Sequence, residues 1–267
     1  MDRDSSRSRS QVSLARAEHI DFSRVKLGFE DFRQLAQNPH LNVEEKIAFP
    51  VSYRRGYEDA IFKDICRKLE PLCDLDRVVV DIGCGVGGLT ERIVAACLER
   101  RHRLILVDSE EMLAGAPSGI GVKQVPGMYP INAEAVHAAT KGGADAVICY
   151  SVLHYAFLDT NLYRFVDAII DLLRPGGMAL LGDIPNVSKR RRFFSSAAGI
   201  AFHKAFTGAD EPPEVQHFQV AHDTIDDAVL WGLVARAQAA GCNAYVLPQG
   251  RDLPMSNRRD DILIQKP

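Results

Sequence analysis

From Arg77 onward, short apolar runs alternate with segments whose apolar positions recur every three or four residues. The short runs predict strands over Arg77–Ile82, Arg103–Val107 (ending in Asp108), Val122–Val125, Ala146–Tyr150, Met178–Asp183, Asn243–Pro248 and Asp260–Gln265. The intervening patterns predict helices over Leu89–Arg100, Leu162–Leu173 and Ile225–Ala240. Pro175-Gly176-Gly177 marks the end of the middle one. Strands alternating with helices imply a parallel sheet. Residues 184–223 break the alternation and read as an insertion after the fifth strand.

The first part of the chain follows another pattern. Residues 1–13 are rich in Ser, Arg and Asp and lack the apolar core of a signal peptide, so a disordered tail is expected. Between Ser13 and Leu41, Phe22, Val25, Phe29, Phe32 and Leu35 give one apolar helical face, stopped at Asn38-Pro39. Tyr57, Ile61, Ile65 and Leu69 mark a second amphipathic helix. Residues 14–70 thus read as a helical cap on a domain formed by 71–267. A lid is the functional version of the same reading, because Tyr53, Arg54, Arg55 and Tyr57 stand where the cap approaches the core.

Composition narrows the class. A chain of 267 residues with 46% hydrophobic and 25% charged residues can bury a large core. The net charge of −3 gives no argument for nucleic acid, and no apolar run reaches the ~20 residues that span a bilayer. The six cysteines are scattered without a C-x-x-C pair, which suggests reduced thiols of a cytoplasmic protein and no zinc site. His203, His217 and His222 lack cysteine or carboxylate partners at ligand spacing, so no metal is expected.

Chemistry concentrates at Val78–Thr90, VVVDIGCGVGGLT. A β-branched strand, an acid and a glycine turn running into a helix make a nucleotide-like ligand site, since glycine lets a ligand approach the main chain. Gly83, Gly85 and Gly88 spell G-x-G-x-x-G; Gly83, Gly85 and Gly87 spell G-x-G-x-G behind Asp81. Asp108, at the end of the second strand, is placed to accept ribose hydroxyls, as it would for NAD or for an S-adenosyl cofactor.

The stretch D-x-G-C-G-x-G resembles motif I of the class I S-adenosylmethionine (SAM) methyltransferases. LILVDSEEML, DAVICYSVLHYAF and LLRPGGMALLGDIPN resemble later elements of that family, as does the closing helix, strand and RRDDILI. The resemblance covers 75–184 and 224–266. It implies a Rossmann-like fold with a seven-stranded, mostly parallel sheet in the order 3-2-1-4-5-7-6, and SAM as cofactor. It implies cofactor contacts at Asp81, Gly83, Cys84, Gly85, Gly87, Asp108, Ser109, Met112, Met128, Tyr150 and Ser151. Many members carry an acid after strand three for the adenine amino group; here Gly127 and Met128 stand there, so a backbone group is expected to substitute.

For catalysis, His154 and Asp183 are the base candidates and Tyr53 could orient the acceptor. A packing role competes for His154. Arg54, Arg55, Lys189, Arg190 and Arg191 suggest a small anionic acceptor, against the alternative of a solvated charged face. EKIAFPVSYRRGYEDAIFKDI, GDIPNVSKRRRFF and LPMSNRRDDILI further resemble a subgroup associated with bacterial surface-polysaccharide gene clusters, which would make a sugar or nucleotide-sugar the acceptor. Two other readings stand beside this one, an NAD(P)-dependent oxidoreductase and a non-catalytic SAM-binding module. A homodimer is compatible with the sequence.

Overall fold

The computed structural model describes residues 27–48, 55–208, 210–217 and 221–267. Helix α1 spans Phe29–Gln37, α2 Val43–Lys46 and α3 Glu58–Lys68, with a 3₁₀ turn at Glu70–Cys73. Then come β1 Val78–Ile82, α4 Gly88–Glu99, β2 Arg103–Asp108, α5 Glu110–Leu113, β3 Val122–Pro126, α6 Ala133–Thr140 and β4 Ala144–Tyr150. Helices α7 Leu153–Asp159 and α8 Leu162–Leu172 precede β5 Leu173–Pro185. Helices α9 Val187–Phe194, α10 Ala197–Thr207 and α11 Asp227–Ala239 precede β6 Asn243–Pro248 and β7 Arg259–Gln265.

The seven strands lie in the order β3-β2-β1-β4-β5-β7-β6. Strands β1 to β5 pair in parallel, and β7 runs antiparallel between β5 and β6. This is the order expected of the Rossmann-like class I methyltransferase fold. Successive side chains of a strand point to opposite faces, and both faces here are covered. Val80, Ile82, Val147, Cys149, Leu181 and Ile262 share one core with residues of α8 and α11. Val79, Leu104, Leu106, Ile148 and Leu180 share the other with residues of α3 and α4. Double coverage explains why β1 and β4 read as largely apolar runs. The exceptions are Asp81 in β1 and Asp145 in β4, both buried.

Several boundaries differ from the periodicity. Strand β5 begins at Leu173, before the Pro-Gly-Gly turn. The register with β4 jumps from Ala144↔Leu173 to Ala146↔Met178, so Arg174–Gly177 bulges out of a strand that continues on both sides. A second irregularity falls between Leu181 and Ile184, against β7. Helices α5, α6 and α7 are too short for apolar periodicity to announce them. The insertion contains the helical pair α9 and α10; the Asn186 side chain starts α9 by accepting from the backbone N–H groups of Ser188 and Lys189. All six cysteines are free thiols. Phe22, Val25 and residues 1–13 lie outside the described residues, as do Tyr53 and Arg54.

Candidate active site

The strand order reverses direction between β1 and β4, and a crevice opens at the carboxyl ends of strands at such a point. One cavity occupies it. Its walls come from the turns after β1, β2, β3 and β4 and, opposite them, from the cap. Each turn has a local cause. Gly83 and Gly85 have φ of +70° and +64°, a left-handed backbone that other L-residues resist. A Cβ on Gly83 would also meet Val152 Cγ2 at 2.5 Å. Thr90 ties the turn to the first turn of α4 by donating its hydroxyl to the Cys84 carbonyl.

Two carboxylates face this turn. Asp108 accepts from Gly85 N at 2.9 Å and from Ser109 N at 2.7 Å. Burial nevertheless raises its pKa to about 6, against those two backbone hydrogen bonds. Asp81 is pushed to about 7, first by burial and then by the neighbouring Asp108 charge. The Asp81 side chain takes no hydrogen bond among the described residues, yet it lines the cavity. A desolvated carboxyl left without a donor is costly unless a ligand brings one. A ligand with hydroxyls and an ammonium supplies that deficit, which is the chemistry of an S-adenosyl amino acid.

The remaining sequence-predicted cofactor residues distribute as follows. Cys84, Gly87, Met112, Met128, Tyr150 and Ser151 line the same cavity as Asp81, Gly83, Gly85 and Asp108. Burial and the two nearby carboxylates drive the Cys84 thiol well above its ordinary pKa, so it is no thiolate nucleophile. Ser109 stands behind the wall. It is buried, donates its backbone N–H to Asp108 and caps α5 by accepting from Met112 N. Gly127 and Met128 line the cavity where the expected acid is missing, and Gly127 N donates to the Asp108 carbonyl at 2.9 Å.

The catalytic candidates fall differently. His154 does not line the cavity; its ring packs 3.9 Å from that of Tyr155, which does. Asp183 also sits outside the lining, at the β5 irregularity, with φ +59°. It accepts the Ser151 hydroxyl proton, and Arg259 Nη1 donates to its carboxylate at 2.8 Å. Gln249 Nε2 reaches Asp183 Oδ1 at 3.2 Å, and Asp183 N donates to Asp261 at 2.8 Å. Tyr53 lies outside the described residues.

The basic candidates are placed away from the cavity. Lys189 donates to the Arg259 carbonyl and to Asp260, both at 2.7 Å. The Arg190 guanidinium lies 5.1 Å over the Phe194 ring. Arg191 is on the same helix and, like these two, does not line the cavity. Arg55 pairs with Glu44 at 3.0 Å, and Glu44 does line it. Arg54 lies outside the described residues. Among the described residues no group of His, Cys, Asp and Glu is arranged to hold a metal, and no helix is long and apolar enough to cross a membrane.

The cap supplies wall residues that sequence reasoning did not select. Ile47 closes on the glycine turn, 3.2 Å from a Cβ placed on Gly85 or on Gly87. Phe32 packs edge-on against Tyr155 at 4.7 Å, and Asp159 accepts from Phe29 N at 2.7 Å. Glu58 begins α3 over Gly88. Phe29 and Phe32 belonged to the apolar face visible in the sequence; nothing in the local sequence indicated Asp159.

Residues 79–177 match a family model described as a methyltransferase domain. Among the curated proteins nothing matches the chain. Similar solved structures include the plantazolicin methyltransferase BpumL in complex with a monoazolic desmethylPZN analog and SAH, at 15% identity and a TM-score of 0.55, covering 89% of this chain and 96% of that one. Another is the N-methyltransferase NodS from Bradyrhizobium japonicum WM9 in complex with S-adenosyl-L-homocysteine (SAH), at 12% identity and a TM-score of 0.50, covering 90% and 98%. The methyltransferase domain of bacterial-CtHen1-CN is 12% identical, with a TM-score of 0.50 and coverage of 79% and 98%. At such identities the likeness concerns the fold.

Proposed function

We propose that this chain is a SAM-dependent methyltransferase acting on a hydroxyl or amine of a small acceptor. The observation that carries the reading is the pairing of the Gly83–Gly88 turn with two desolvated carboxyls, Asp81 and Asp108, on one cavity. The match of residues 79–177 to a methyltransferase domain supports it. An NAD(P) enzyme could use the same glycines, but the antiparallel β6–β7 pair beside β5 belongs to the methyltransferase sheet order.

The cofactor is SAM, whose sulfonium supplies an already activated methyl group. Asp108 holds the ribose hydroxyls, Asp81 the amino group, and Met112 and the Met128 backbone border the base. Cap residues Ile47, Phe29 and Phe32 close the cavity and exclude water. Rate then comes from alignment of acceptor and methyl group, which is worth several kcal/mol in general, roughly 7–11 at the upper end. The acceptor occupies the part of the cavity bounded by Tyr150, Ser151 and Tyr155.

A sugar or nucleotide-sugar of surface-polysaccharide synthesis is one acceptor of this size. Its anionic form would have to rely on residues beyond the Lys189–Arg191 run, which does not line the cavity. The test is formation of S-adenosylhomocysteine from SAM in the presence of a deproteinised small-molecule extract. Wild-type protein should form it with extract and not without; Asp108→Ala should lose at least ten-fold in SAM affinity while keeping its melting transition. No methyl transfer to any fraction, with SAM tightly bound, would point instead to a SAM-binding module.

A further inference from the structure

Helix α10 turns its apolar face to solvent. Ser196 starts it by accepting from Gly199 N at 3.1 Å, and Gly208, with φ +70°, ends it. Gly199 rests against α9: a Cβ there would meet the Phe193 carbonyl oxygen at 2.0 Å. Ala198, Ala201, Phe202 and Ala205 recur at the three- and four-residue spacing of one helical face, and all four are exposed. Phe206, four residues after Phe202, stacks on it at 6.0 Å and is 60% exposed. In an ordinary amphipathic helix this face is buried. A contiguous exposed patch of this kind marks an interaction surface.

The charge around the patch is of one sign. Between Asp183 and Asp210 the sequence has five Lys and Arg and no Asp or Glu, in a chain of net charge −3. Lys189 and Arg192 are paired with Asp260 and Asp227. Arg190 and Lys204 are exposed. The guanidinium groups of Arg190 and Arg258 lie over the Phe194 ring at 5.1 and 5.9 Å, and that ring is 6.4 Å from Phe202. Cations thus border the aromatic cluster that leads to the exposed face. Acids return only at Asp210, beyond the Gly208 cap.

We propose that α9 and α10 dock this chain on an anionic lipid bilayer. Phe202 and Phe206 enter the boundary between headgroups and acyl chains, while Arg190, Lys204 and Arg258 meet lipid phosphates. A helix with aromatics on one face and cations beside it binds a membrane surface through buried apolar area plus attraction to anionic lipid. Other occupants match the surface less well. A two-fold dimer would set the basic patch against its own image, where like charges oppose each other. A nucleic acid would be held by the cations and leave the alanines and phenylalanines in water. Helix α9 follows β5 directly, at the carboxyl ends of the parallel strands, so the docking surface lies on the same edge of the sheet as the cavity. The inference adds a partner to the proposed methyltransferase and does not depend on its cofactor.

Sedimentation of the full chain with vesicles tests it. One set of vesicles holds equal parts of phosphatidylglycerol and phosphatidylcholine, the other phosphatidylcholine alone. Saturable binding is expected with the first set, at least ten-fold weaker with the second, and weakened by added salt. Phe202→Gln combined with Phe206→Gln should weaken it at least ten-fold, and Lys204→Glu at least three-fold. Both proteins should keep the melting transition of the wild type, because the altered side chains are exposed. If the paired variant does not fold, Lys204→Glu and the comparison of the two vesicle sets decide. Absence of binding overturns the proposal, as does equal binding to both sets. So does binding that the paired variant leaves unchanged, which would be a contact of charges only. Self-association that the paired variant abolishes, without binding to vesicles, gives the face to a second copy and overturns it as well.

Discussion

At the scale of single residues, Asp81 and Asp108 link ligand binding to protonation. Burial sets the folded-state values near 7 and near 6, both above the ordinary carboxylate value of 3.8. Between about pH 4 and pH 7 these two carboxyls therefore hold more protons in the folded chain than in the unfolded chain. The stabilising contribution is complete below the unfolded value and is lost as pH rises through the folded values. Ligand-free protein should lose stability from pH 5 to pH 8, by on the order of a few kcal/mol from these two groups. Asp81→Asn should flatten that loss and melt higher than wild type at pH 8. Parallel thermal melts of the two proteins at both pH values check this; an unchanged pH slope would mean that Asp81 is not desolvated. Gly83 gives a second residue-scale prediction. Gly83→Ala forces a Cβ onto a left-handed backbone and into Val152, so it should destabilise by about 1–3 kcal/mol. Denaturant midpoints measure it, and a loss under about 0.5 kcal/mol would show a turn free to relax.

At the scale of elements, the cap and the last strand are joined by a buried charge. Lys68 on α3 pairs with Asp64 of the same helix and, at 2.6 Å, with Asp261 on β7. Asp261 is fully buried; burial outweighs Lys68 and raises its pKa. Lys68→Met leaves buried Asp261 without its cation and Asp64 with Arg67 alone, at 3.6 Å, and should destabilise by about 3–5 kcal/mol. Pairing Lys68→Met with Asp261→Asn should recover part of it. A loss below about 1 kcal/mol in chemical denaturation would mean that water replaces the lysine. The same polar layer continues from Asp261 through Gln249 to Asp183 and Ser151. Packing of α3 is in this way coupled to the wall where the acceptor is proposed to sit. The α9 helix shows the opposite situation. Its Lys189 and Arg192 are held by Asp260 and Asp227, so these two cations stabilise the junction of β7 and α11 and do not line the cavity.

At the scale of the whole molecule, the alternation of strands and helices announced a parallel sheet, while the strand order followed from the resemblance of D-x-G-C-G-x-G, LLRPGGMALLGDIPN and RRDDILI to the class I methyltransferases. The sequence also brought together residues that line one cavity: Asp81, the glycines and Asp108 are local to strand ends, and strand ends meet at the crevice. What escaped was everything decided across the sheet. Lys189 reads as part of a charge run until β7 brings Asp260 to it. Nothing beside Asp183 in the sequence announces Arg259, Gln249 and Asp261, which surround it in the fold. Glu44, Glu58 and Asp159 carry no signal of their own, and they come together only where α1, α2 and α3 pack beside the core. The β5 bulge at Arg174–Gly177 is likewise hidden, since Pro-Gly-Gly marks a turn whether or not the strand resumes.

The central claim is that the Val78–Thr90 turn and Asp108 hold an S-adenosyl cofactor. Calorimetric titration of the purified chain with SAM, S-adenosylhomocysteine, NAD and NADP in parallel tests it most directly. The account predicts saturable binding of SAM and S-adenosylhomocysteine and none of the nicotinamide dinucleotides. Binding of NAD or NADP with no response to either S-adenosyl compound would contradict it.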